Sequence, residues 1–138
     1  MNAMLQRRLR TVDLRVHLHP VSGEHLPFAD ESFDCVVSTL VLCSIPDVER
    51  AVAEVYRVLK PNGRYLFLEH GISPDAKVQR WQRRLNWLQR RAGDGCRLDL
   101  DVPRLLDATP FREREIHAGY LEQAPATHGY IYSGQATK

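Results

Sequence analysis

With 138 residues, 43% of them apolar and 26% charged, the chain has the makeup of one globular domain and is too short for two. A net charge of +2 gives no general attraction for nucleic acid, and no apolar stretch is long enough to cross a bilayer, so neither a nucleic-acid partner nor stable membrane insertion is expected. The basic start, Met1 to Arg10, lacks the apolar core of a signal peptide, which makes the cytoplasm the default compartment.

In chain order, residues 2–9 suit a short helix, and Leu14, Val16 and Leu18 alternate with polar residues as a short strand does. After a loop over 20–32, Phe33 to Leu42 is nearly continuous in apolar and small residues, the pattern of a strand covered on both faces. Pro46, Asp47 and Glu49 then open a helix whose apolar face is Val48, Ala51, Val52, Val55, Val58 and Leu59. Lys60 falls in its last turn, and Pro61, Asn62 and Gly63 stop it. Tyr65 to Leu68 is a further strand. A second helix is expected over 75–91, with Ser73 as its cap and Val78, Trp81, Leu85 and Leu88 on one side. A short helix at 102–108 follows, and two close strands, 111–117 and 129–136, suit an antiparallel pair.

The three cysteines are Cys35, Cys43 and Cys96. They are too few for a disulfide framework, and none pairs at metal-ligand spacing, which argues against a zinc site. Cys35 lies in the apolar run and is expected in the core; Cys43 and Cys96 are read as packing residues.

The segment Gly23-Glu24-His25-Leu26-Pro27-Phe28-Ala29-Asp30-Glu31-Ser32-Phe33-Asp34 resembles the GxAExLPFxDxSFD stretch of class I S-adenosylmethionine-dependent methyltransferases. Val36 to Leu42 with Ile45-Pro46-Asp47 resembles their fourth strand and its following loop, and Glu54 to Gly63 their ExxRVLKPGG helix end and turn. Leu40-Val41-Leu42-Cys43-Ser44, Glu69-His70 and Asp94-Gly95-Cys96 are most similar to the methyltransferase-like thiol methyltransferases. One departure stands out. The family's opening strand, glycine-rich loop and second strand with its acidic end have no counterpart here; the one GxG, Gly93-Asp94-Gly95, follows a helix.

The resemblance implies a single, incomplete α/β domain over 1–138: a partial Rossmann-like methyltransferase fold with a mainly parallel sheet, an antiparallel C-terminal strand pair, and the first two strands missing. The strand at 33–42 would then be an open edge, prone to pairing with a second copy of the chain. The implied cofactor is S-adenosylmethionine, and the implied activity is methyl transfer to a small-molecule acceptor by in-line displacement, impaired in this chain. A degenerate methyltransferase fold serving as a scaffold or regulatory module is the alternative.

By the same resemblance, Ser22, Gly23 and Glu24 would meet the cofactor's adenine, and Thr39 and Leu40 would line its pocket. Ser22 reads equally as a turn residue, Glu24 as a loop or helix-cap carboxylate, and Thr39 and Leu40 as packing residues. His70, at a strand's carboxyl end, could take a proton from the acceptor or simply hold the strand end by a hydrogen bond. Arg80, Arg83, Arg84, Arg90 and Arg91 beside Trp81 and Trp87 form a solvated helix face, a lid or a contact for anionic lipid or nucleic acid.

Overall fold

The computed structural model describes residues 15–138 except Asp94, together with Arg7. The helix expected over 2–9 therefore lies outside the described residues. Of the strand expected at 14–18, the described residues 15–18 carry no strand geometry and stand exposed.

Four strands make one mixed sheet: β1 (Phe33–Thr39), β2 (Leu59–His70), β3 (Glu113–Tyr120) and β4 (Tyr130–Thr137). Their order is β1-β2-β4-β3, with β1 parallel to β2 and β4 antiparallel to both of its neighbours. The expected antiparallel closing pair is present. Among the described residues, the helices α1 (Val48–Val58), α2 (Ala76–Ala92) and α3 (Val102–Asp107) accompany the sheet.

Helix α1 begins where Asp47 accepts a hydrogen bond from the Arg50 amide. It ends at Val58, earlier than the sequence pattern suggests. Pro61 pushes Lys60 out of the helical region, and Leu59 is already extended, so 59–63 enter β2 as an irregular start with Asn62 at φ +64°. Val48, Ala51, Val52, Val55 and Val58 are all buried against the sheet. Each valine contributes roughly 1.5–3 kcal/mol by leaving water. Two further residues of α1 tie down the preceding loop. Arg57 donates to the Phe28 and Leu26 carbonyls, Asp30 and Glu54, while Glu54 accepts from the Leu26 amide at 2.8 Å.

The core lies on one side of the sheet. Tyr65 and Phe67 of β2 meet α1, α3 and Phe111, whose ring stacks on Tyr65 with 6.0 Å between centroids. The other face is open among the described residues: Val37 is 64% exposed and Leu68 40%. The apolar run at 33–42 is thus covered on one face instead of two. Cys35 points to the uncovered side and is exposed, against the expectation that it packs in the core. Regular strand also ends at Thr39, and Leu42–Ser44 is a 3₁₀ turn. The outer edge of β1 has no strand partner among the described residues, as expected for an open flank.

Helix α2 is capped by Asp75, whose carboxylate accepts from the Lys77 and Val78 amides, and not by Ser73. Ser73 is fully buried and supports that cap by accepting from the Asp75 amide at 3.0 Å. The helix buries none of the side chains that its apolar stripe would select; Trp81 is 55% exposed and Leu88 49%. Its buried residue is Gln82, which accepts from the Ser73 amide and donates to the Gly71 and Thr127 carbonyls.

Candidate functional site

An apolar cleft of about 520 Å³ opens beside β1 at the carboxyl end of the strand. Its floor is Val36, Val37 and Ser38; its walls are Val41, Leu42, Ile45 and the loop at Val21, Ser22 and Gly23. Gly23 packs closely on this wall: a Cβ there would stand 2.9 Å from Ile45 Cδ1, so the isoleucine tip would have to shift. Of the five cofactor residues expected from sequence, the cleft gathers Ser22 and Gly23. Glu24, Thr39 and Leu40 are not among its walls.

Glu24 is engaged as a strut. Its carboxylate accepts from the Asp47 amide at 2.8 Å and from the Ser22 hydroxyl, and its carbonyl accepts from Arg50. Thr39 is exposed, and Leu40, at φ +51°, turns the chain out of the strand while its amide stays bonded to the Leu68 carbonyl. The lining residues Val37, Val41 and Ile45 escaped notice in the sequence because they read as core; the signal was their place at or beyond the carboxyl end of an edge strand.

Glu69 lies behind this turn, fully buried. One carboxylate oxygen accepts from the Val41 and Leu42 amides at 2.9 and 3.1 Å, fixing the 3₁₀ turn. The other, Oε1, is buried without a partner. Burial raises the Glu69 carboxyl above its ordinary range despite those amide bonds.

Next to it, His70 meets two cysteines from distant parts of the chain. His70 Nε2 is 3.0 Å from Cys96 Sγ, which is 3.0 Å from Cys43 Sγ. Contact with Cys43 raises the imidazole's pKa, against the effect of burial. Burial pushes the Cys43 thiol up, but the hydrogen bonds from His70 and Cys96 outweigh it and lower the thiol overall. Burial, reinforced by Cys43, pushes the Cys96 thiol up to about 12. Sequence spacing hid this group, because its members lie 26 and 53 residues apart and come from three separate elements.

The basic face of α2 bounds a shallow recess formed by Lys77, Arg80, Trp81, Arg83 and Arg84, and the Arg84 guanidinium lies 5.9 Å from the Trp81 ring centre. Among the described residues, no helix is long and apolar enough to cross a membrane.

Residues 1–67 match a family model described as a methyltransferase domain. Over 96 residues the chain is 38% identical to the thiol S-methyltransferase TMT1B of Rattus norvegicus, covering 68% of this chain and 39% of that protein. By these matches the chain is related to the S-adenosylmethionine-dependent methyltransferases. It is also 54% identical over 48 residues to the ubiquinone/menaquinone biosynthesis C-methyltransferase UbiE of Haemophilus ducreyi, covering 35% of this chain and 18% of that one. The fold matches the crystal structure of the 4+2 cyclase SpnF with a TM-score of 0.67 at 21% identity, over 99% of this chain and 60% of SpnF. The chain thus spans well under half the length of the curated methyltransferases it matches.

Proposed function

We propose that this chain forms the acceptor side of a methyltransferase and one wall of its S-adenosylmethionine site, with a small-molecule thiol as the acceptor. The observation that carries the reading is the apolar cleft outside the carboxyl end of β1, where open α/β sheets bind their ligands. The residues present fit the adenosyl end of the cofactor. Val37, Val41 and Ile45 offer an apolar surface for a flat ring, and Gly23 lets the loop backbone come close. Ser22 Oγ, already accepting from the Glu24 amide, is the polar atom at the loop side. Among the described residues, the cleft walls include no carboxylate for ribose hydroxyls, and no glycine-rich turn follows a strand.

The cofactor, when bound, supplies an activated methyl group. The chain's own contribution is to position: the Glu69 carboxylate holds the Val41–Leu42 turn that forms one wall of the cleft. A thiol acceptor suits a site without a free base, because thiols ionise near pH 8.5 on their own. His70 stands at the end of β2, but its Nε2 is held at the Cys96 sulfur, so we do not assign it to proton abstraction. The thiol S-methyltransferase TMT1B supports this acceptor class.

Methyl transfer is tested by incubating the chain with methyl-labelled S-adenosylmethionine and a small alkyl thiol. Labelled thioether above a protein-free control is expected, and its loss in Val41→Arg would tie it to the cleft. A chain that binds the cofactor yet labels no thiol would instead support a non-methylating use of the fold, the reading favoured by the likeness to the cyclase SpnF.

A further inference from the structure

We propose that Cys43, His70 and Cys96 form a zinc site, with two thiolates and one imidazole as ligands and the fourth position open to water. Their donor atoms all lie within 4.8 Å of one another. They come from the 3₁₀ turn, the end of β2 and the segment after α2, so the fold itself assembles them.

Three observations carry the proposal. The donor set is two soft sulfurs and a borderline nitrogen, the combination that selects zinc over magnesium or calcium. The two sulfurs lie 3.0 Å apart and the imidazole nitrogen lies 3.0 Å from one of them, close enough for all three to share one ion. Cys43 is 2% exposed, so solvent does not satisfy it. Zinc–sulfur bonds of about 2.3 Å in a tetrahedral arrangement place sulfurs about 3.8 Å apart, so the two side chains would open by about 0.8 Å on binding. The charges also balance: two thiolates and a neutral imidazole leave a dication site neutral, which matters at this depth.

A Cys43–Cys96 disulfide is the competing arrangement. It would need an external two-electron oxidant and would leave His70 without a partner. The zinc site stands independently of the methyl acceptor.

The test uses the reduced full chain, kept in a phosphine reductant, and titrates it with Co²⁺ and then Zn²⁺. Expected are one equivalent of Co²⁺ with a thiolate-to-cobalt charge-transfer band and four-coordinate d–d absorption, then displacement by Zn²⁺. His70→Gln and Cys96→Ser should weaken binding by more than about tenfold and remove the band or cut its intensity, while Cys35→Ser, at an exposed cysteine, leaves it unchanged. Thermal melting provides the second readout: Zn²⁺ should raise the Tm of the parent chain and of Cys35→Ser but not of His70→Gln. No charge-transfer band in a chain whose thiols are free, or a band untouched by both His70→Gln and Cys96→Ser, would overturn the proposal.

Discussion

Helices α1 and α2 are held to the rest of the molecule by different forces. Helix α1 buries a stripe of small aliphatic side chains against Tyr65 and Phe67, so its position is set by apolar area. Helix α2 buries one amide side chain, Gln82, and is pinned by directed hydrogen bonds to Gly71, Ser73 and Thr127. Asn86 adds another by accepting from the Leu98 amide at 2.8 Å. Its tryptophans face water as a result. Apolar periodicity therefore finds a helix in both cases but finds the buried face only where burial is the cause.

The sharpest way to break this contrast begins in the apolar layer. Phe111→Ala removes a ring that contacts Tyr56 and Tyr65, and should cost about 3–5 kcal/mol in urea unfolding. Gln82→Leu tests the other helix. It preserves side-chain bulk but leaves the buried Ser73 amide and Gly71 carbonyl unpaired, so a loss of about 1–3 kcal/mol is expected. Were α2 held by apolar contact, the same leucine would stabilise the protein.

A smaller effect comes from acid. Arg57 beside Glu54 holds that carboxyl down at about 2, from an ordinary 4.5. A lowered folded pKa means the stabilisation is present above pH 4.5 and is lost as pH falls from 4.5 through 2. The pair is partly solvated, so the loss should be on the order of 1 kcal/mol. Glu54→Gln should flatten that limb of the stability profile. The smallest change expected is Trp87→Gln: with the ring 65% exposed, stability should move by no more than about 0.5 kcal/mol.

Much of the fold was legible where local rules and packing agree. The valines of α1, the apolar run from Tyr65 to Leu68 and the short gap between β3 and β4 each announce their element. The Glu54–Arg57 pair, within the ExxR motif, turned out to be structural, clamping the loop that carries the other motif. What the sequence hid depended on distance and cover. Cys35 looks like a core residue, yet among the described residues nothing covers the sheet face it occupies, and it is exposed. The end of α1 was overrun by two residues, because the constraint of Pro61 acts one position upstream. The Cys43–His70–Cys96 group has no local signature at all; only the return of the chain after α2 brings Cys96 back to β2. Glu69, likewise, reads as an ordinary strand-end carboxylate until its burial is seen.

The cleft beside β1 is the place on which the functional reading turns, and hydrogen exchange measures it directly. With millimolar S-adenosylhomocysteine, amides of 21–24 and 36–42 should exchange more slowly, while the α2 segment is unaffected. Protection absent from both stretches, or confined to the basic face at 77–84, would contradict the assignment of that cleft.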